Sequence, residues 1–151
     1  MNVRDATHAD ILPIVRLAAV MFEESEHYRQ FTLDGGRVFA QLQALIDSDD
    51  GIVLVAEEGE NIVGGFIGGI ALMWFSSESK SMYDNGLFIL PGHRGGGTAI
   101  KLITEAFKQA KDKGAIEAQL TNTTGVASDR VEQLYQHMGM TRVGGQYYKI
   151  L

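Results

Sequence analysis

One stretch near the middle of the chain limits what it can fold into. Leu87-Phe88-Ile89-Leu90 is wholly apolar, Pro91-Gly92-His93-Arg94-Gly95-Gly96-Gly97 follows, and Thr98-Ala99-Ile100-Lys101-Leu102-Ile103 carries helical apolar spacing. The pattern predicts a buried strand, a basic glycine-packed turn and a helix that opens on the turn. Backbone N–H groups at a helix N-terminus are unpaired and partly positive, so a phosphate can sit on them. Glycine allows close approach and positive φ there, and Arg94 adds a permanent charge. A P-loop would need Lys-Ser or Lys-Thr after the glycines, and neither is present. The dinucleotide fingerprint belongs to a first strand with Gly-x-Gly-x-x-Gly, and both spacing and position differ here. A flexible linker is the plainer alternative, but linkers are not usually flanked by an apolar strand and an amphipathic helix.

The remaining elements are read around that stretch. Val3-Arg4-Asp5 is a short strand, and Thr7 with Asp10 makes a capping-box pattern before a helix. Pro13 fits its first turn, and Ile11, Val15, Ala18 or Ala19, and Phe22 would face the core. A second helix runs from Gly36 to Asp47 with Val38, Leu42, Leu45 and Ile46 as its apolar set. Gly51 to Ala56 reads as a strand buried on both faces, and Glu58-Gly59-Glu60-Asn61 turns it into a returning strand, Ile62 to Trp74. Ser76 to Ser81 is a loop, and Met82 to Leu90 is the strand that feeds the glycine turn. After the third helix, stopped by Gly114, come a strand from Ile116 to Leu120, a loop from Thr121 to Gly125, and a helix capped by Ser128 and ended by Gly139. Thr141 to Ile150 around Gly144-Gly145 reads as a closing hairpin. The order is β-α-α-β-β-β-α-β-α-β-β in a single domain, residues 1–151. It predicts an α/β (α+β) architecture: a mixed, mainly antiparallel sheet of six to seven strands flanked by about four helices.

Composition narrows the function. With 151 residues, 45% hydrophobic and 21% charged, the chain can bury an ordinary core. A net charge of −6 argues against a nucleic-acid surface and is compatible with cationic partners. The chain has no cysteine, which removes a thiol nucleophile and a disulfide framework and fits a reducing cytoplasm. The start, Met1-Asn2-Val3-Arg4-Asp5, lacks an apolar signal core. Ile62 to Phe75 is too short to span a bilayer as a helix, so no membrane partner is expected. The histidines show no ligand spacing, and no metal is expected.

Arg94-x-x-Gly97-x-Ala99 resembles the Arg/Gln-x-x-Gly-x-Gly/Ala motif of the GNAT superfamily of N-acetyltransferases. Val3-Arg4-Asp5-Ala6-Thr7-x-x-Asp10 is similar to that family's opening, and Leu134-Tyr135-Gln136-His137-Met138-Gly139-Met140 to its Leu-Tyr-x-x-Leu-Gly-Phe region. The three segments stand in the family's order and span nearly the whole chain. The resemblance implies acetyl-coenzyme A as donor and a primary amine as acceptor: a small molecule, an aminoacyl compound or a protein amine. It implies that Leu87, Phe88 and Ile89 hold the pantetheine arm and that Arg94, Gly95, Gly96, Gly97, Thr98 and Ala99 cradle the pyrophosphate. Ser128 stands where the family often has an asparagine near the coenzyme. Tyr135 matches the tyrosine that can protonate the thiolate.

Direct transfer also needs a group to take a proton from the amine. Asp84, with Tyr83 beside it, and the pair Glu23 and Glu24 are the candidates. Strand alternation puts Tyr83 and Asp84 on opposite faces unless a bulge intervenes. The resemblance implies that an oxyanion would be met by backbone N–H near Ile89 and Leu90. Glu23, Glu24 and Tyr28 belong to a segment with three glutamates and three aromatics, Met21 to Phe31, which is either a solvated loop or a rim that attracts a protonated amine. Two other readings are a non-catalytic acyl-CoA-binding or protein-interaction module on the same fold, and a nucleotide-binding α/β protein. Exposed strand edges make a homodimer plausible.

Overall fold

The structure, a computed structural model, describes residues 1–151. Nine main elements follow in order: β1 Asn2–Asp5, α1 Ile11–Glu24, α2 Gly35–Asp47, β2 Gly51–Glu58, β3 Asn61–Leu72, β4 Lys80–Ile89, α3 Thr98–Asp112, β5 Ala115–Ala118 and α4 Ser128–His137. The strands form one sheet in the order β1-β2-β3-β4-β5. All neighbours are antiparallel except β4 and β5, which are parallel. Residues 52–56 of β2 and 63–70 of β3 are all buried, as expected of central strands covered on both faces.

Helices cover both sheet faces. On one, Ile11, Ile14, Leu17 and Ala18 of α1 and Leu42 of α2 pack with Val53, Val55, Ile67 and Phe88. On the other, Leu102, Ala106 and Ala110 of α3 pack with Leu54, Phe66, Ile70 and Met82. The buried stripe of α1 is therefore turned by about one residue from the expected Ile11, Val15, Ala18, Phe22 set, leaving Val15 and Phe22 half-buried. The Asp10 carboxylate accepts hydrogen bonds from the Thr7 backbone N–H (2.7 Å) and hydroxyl (2.9 Å) and forms a bidentate pair with Arg4. Arg4 also donates to Glu57 of β2 at 2.8 Å, so this knot ties β1, β2 and the start of α1 together.

The mixed, mainly antiparallel class and the four helices are as expected, but the sheet has five strands rather than six or seven. The closing hairpin does not form. Thr141 to Leu151 make no backbone–backbone hydrogen bond, and Val143 and Tyr147 are 98% and 94% exposed. A two-stranded hairpin is marginal unless one face packs, and here the apolar side chains stay in water, as do the backbone groups. Its contacts with the body include Tyr148 stacked on His27, with centroids 4.0 Å apart, and Arg142 near Glu132 at 3.8 Å. Ser128 is also displaced from its expected role: Ala127, at φ 50°, occupies the cap of α4, and Ser128 is the first helical residue. No helix is long and apolar enough to cross a membrane.

Candidate active site

The glycine turn has the geometry its sequence suggests. After Leu90 the chain makes one tight turn, Pro91–His93, extends at Arg94 and enters α3 at Thr98. Gly95 and Gly97 have φ of 85° and 81°, a region that side chains with a Cβ rarely adopt. A Cβ at either position would meet no atom within 4 Å, so backbone conformation rather than crowding calls for glycine, and the space before the turn is open. The N–H groups of Gly95, Gly96, Gly97, Thr98, Ala99 and Ile100 have no acceptor in the protein. The first one taken is that of Lys101, by Gly97 C=O at 3.1 Å. Six successive free donors at a helix N-terminus form a cradle for an anion. The Thr98 side chain is buried and turned toward Met1, leaving its N–H as its contribution.

The Arg94 side chain does not reach over this cradle. Its guanidinium pairs with both oxygens of Glu24 at 3.1 and 2.5 Å, and its Nε donates to Ile89 C=O at 2.8 Å. Glu24 is thereby held at the end of α1 by an ion pair, whereas Glu23 is exposed. The arginine ties α1 to the end of β4, so the cradle is built of backbone N–H groups alone.

Beside the turn the sheet opens. β5 pairs with β4 only along Lys80–Met82, extended by the Gln119 N–H to Met82 C=O bond at 2.9 Å. Farther along, β4 has a neighbour only in β3. The register shifts between Ile67 and Gly68: Ile67 faces Gly86 and Gly68 faces Asp84, which leaves Asn85 as a bulge. Gly68 is needed there, because a Cβ would lie 2.2 Å from the Tyr83 C=O. The bulge inverts the side-chain alternation. Met82 packs toward α3 before it, and after it Leu87 and Ile89 do so, while Phe88 joins the opposite core. Leu90 N–H donates to Val63 C=O at 2.9 Å, which makes Ile89 and Gly64 a non-hydrogen-bonded pair. The N–H groups of Ile89 and, two residues back, Leu87 therefore point into the gap between β4 and β5. The expected oxyanion donor is narrowed by this: Leu90 N–H is already used, and Ile89 N–H is free to serve.

Asp84, Thr121 and Tyr135 meet across the same gap. The Asp84 carboxylate accepts from the Thr121 N–H at 3.0 Å and from its hydroxyl at 3.2 Å. Tyr135 of α4 donates its hydroxyl to Thr121 C=O at 2.8 Å. Desolvation raises the Asp84 pKa above the ordinary carboxylate value, against the lowering effect of the Thr121 bonds. Desolvation, and then the Asp84 charge, raise that of Tyr135. The structure thus brings Asp84 and Tyr135 together and keeps Tyr83, Glu23 and Glu24 out of their contacts. Ser128 enters this region through its carbonyl, which accepts from Asn122 Nδ2 at 2.9 Å.

Sequence reasoning missed the loop from Thr121 to Thr124, read only as a connection. Besides Thr121, Thr123 bonds the Tyr28 hydroxyl at 2.9 Å, and Thr124 C=O accepts from the fully buried Ser25 hydroxyl at 2.6 Å. Tyr28 is therefore half-buried and holds the exit of α1 against this loop. A run of hydroxyl side chains, Thr121, Thr123 and Thr124, was the available signal, since such residues bond neighbouring backbone and side chains. On the far side of the loop lies a cleft of about 1150 Å³, between β5, α4 and the C-terminal segment. Thr121 and Tyr135 are on its wall, and Glu24, Glu26, Glu117 and Glu132 line it against a single Arg142. The glycine turn and Asp84 lie outside this cleft, whereas Thr121, which bonds Asp84, and Tyr135 line it.

Comparison with known proteins places the family and the fold. Residues 49–141, more than half of the chain, match the family described as Acetyltransferase (GNAT) domain. An uncharacterized N-acetyltransferase of Bacillus subtilis (strain 168), YhfO, is 34% identical over 143 residues, covering 92% of this chain and 89% of its own length. Among solved structures, an aminoglycoside acetyltransferase from an uncultured soil metagenomic sample superposes with a TM-score of 0.74 at 23% identity, over 99% of this chain and 97% of that one. The aminoglycoside N-acetyltransferase AAC(6')-Iy, in complex with CoA, gives a TM-score of 0.78 at 15% identity, over 99% and 93%.

Proposed function

The chain belongs to the GNAT acetyltransferase family, and on that premise we propose that it moves an acetyl group from acetyl-coenzyme A to a primary amine by direct transfer in a ternary complex. The observation that carries the reading is the run of free N–H groups from Gly95 to Ile100 beside an open strand gap. The residues fit the coenzyme. The cradle would take the pyrophosphate, and the gap-facing backbone of Leu87 and Ile89, with Phe88 packed behind, would take the amide-bearing arm. Bound, acetyl-CoA would supply a thioester carbonyl and a thiolate leaving group.

The chain's own groups divide the proton work. Starting from the neutral amine that an ammonium acceptor yields by losing one proton to water, a C–N bond forms as the C–S bond breaks, so one proton must leave nitrogen and one must reach sulfur. We assign the first to the Asp84 carboxylate, whose raised pKa suits a base that must hold a proton briefly. The second comes from Tyr135, whose hydroxyl stays protonated near neutral pH. Ile89 N–H is aimed into the gap where negative charge on the carbonyl oxygen would develop. Glu24, its charge met by Arg94, is not the base, and the acidic wall is carried by Glu26, Glu117 and Glu132. That wall supports a cationic acceptor, in keeping with the aminoglycoside enzymes that share the fold.

Calorimetric titration with acetyl-CoA, run beside Gly97→Glu, tests the reading. One-to-one binding that the carboxylate variant abolishes is expected, followed by acetylation of amines in a panel. Absence of binding by the folded wild type would overturn it, and binding without transfer to any amine would favour a non-catalytic acyl-CoA module.

A further inference from the structure

We propose that Thr121 is a positioning residue for this transfer, holding the base and the acid in one fixed relation across the opening between β4 and β5. The inference rests on the assignment of Asp84 and Tyr135 made above. Asp84 and Tyr135 lie on different elements, and Thr121 bonds both. Its N–H and hydroxyl meet the Asp84 carboxylate at 3.0 and 3.2 Å, and its carbonyl receives the Tyr135 hydroxyl at 2.8 Å.

The hydroxyl has a use the backbone cannot supply. An N–H can only donate, so it can meet the carboxylate or the carbonyl oxygen of the acid, but never the O–H that protonation creates. A hydroxyl donates to a carboxylate and can accept from a carboxylic acid by rotating. Asp84 can therefore keep one partner both before and after it takes the amine proton. Losing that partner would free the side chain at the step where orientation matters, and small misplacements of catalytic groups are costly.

The surroundings leave this role to Thr121. β3 places Gly68 opposite Asp84. α3 covers that face with Leu102 and Ala106. Tyr83 is exposed on the opposite side, and Glu117 of β5 accepts from Ser81 at 3.0 Å. Tyr135 of α4 is the titratable group that faces the carboxyl. No cation bonds Asp84, so its hydrogen bonds alone set its orientation.

The test compares Thr121→Val, Thr121→Ser and Thr121→Ala with wild type. The carboxyl resonance of Asp84 is titrated in the ligand-free protein, and turnover is measured with acetyl-CoA and kanamycin or spermidine. Valine keeps the shape and removes the hydroxyl, and alanine covers the case in which valine fails to fold. Loss of the donor is expected to move the Asp84 midpoint up by about half a pH unit, roughly threefold in proton affinity. It should lower kcat about tenfold with acetyl-CoA affinity held within about twofold, and serine should restore both readouts. An unchanged midpoint in Thr121→Val or Thr121→Ala would overturn the proposal while leaving Asp84 as base. Wild-type turnover in Asp84→Asn would overturn the base assignment itself, and the proposal with it.

Discussion

Asp10 and Asp84 are the same side chain in opposite electrical settings. Asp10 is 6% exposed and bonds the Arg4 guanidinium with both oxygens. The Arg4 bonds and the Thr7 donors hold its pKa down to about 2 despite desolvation. Asp84 is half-buried, its hydrogen bonds come from a neutral residue, Thr121, and desolvation prevails. Burial alone does not tell a structural carboxylate from a reactive one; the charge of the partner does. The Arg4–Asp10–Glu57 knot joins β1 to the rest of the fold, whereas Asp84 sits where β4 and β5 part and its partners leave its charge uncancelled.

Substitutions that affect one region and spare the other sharpen the contrast. Apart from loss of the Asp84 carboxylate itself, the largest effect is expected from Tyr135→Phe, which should lower kcat about a hundredfold with little change in acetyl-CoA affinity. Asp10→Asn should cost stability instead, about 2 kcal/mol in chemical denaturation, because Arg4 loses its bidentate partner; kcat should be unaffected. The pH dependence follows the same division. Asp10 has a depressed pKa in the folded state, so its contribution is complete above its unfolded value of about 3.9 and is lost as pH falls toward 2. Acid unfolding of Asp10→Asn should therefore lack the part of the wild-type pH dependence that falls in that window. Asp84 has the opposite sign: an ionised form disfavoured by the fold lowers stability at neutral pH. Asp84→Asn should melt at or slightly above the wild-type temperature. The smallest effect is expected for Glu57→Gln, whose melting temperature should be hard to distinguish from wild type.

Much of the architecture was legible because it is local. Gly114 and Gly139 stop helices α3 and α4 with φ of 92° and 79°, and Arg94-x-x-Gly97-x-Ala99 marks a turn whose geometry depends on a few neighbouring residues. The fold class followed from the order of strands and helices. What escaped depends on distant partners. The bulge at Asn85 exists because β3 brings Gly68 against Tyr83, and no nearby residue announces it. Thr121 reaches Asp84 across 37 positions, and Glu24 reaches Arg94 across 70, so neither contact has a periodic signature. The closing hairpin fails to form for the converse reason. Gly144-Gly145 between apolar residues is a local turn signal, but Val143 and Tyr147 find no face to cover.

Asp84, left without a cationic partner, is the group we propose takes the amine proton in an acetyl-CoA-dependent transfer. Initial rates of wild type and Asp84→Asn, measured against pH with acetyl-CoA and a cationic primary amine, test it most directly. The predicted result is a wild-type rate that falls as Asp84 is protonated and a variant at least about a hundredfold slower, folded and still able to bind the coenzyme. An Asp84→Asn protein that transfers acetyl groups at the wild-type rate with the same pH profile would contradict it.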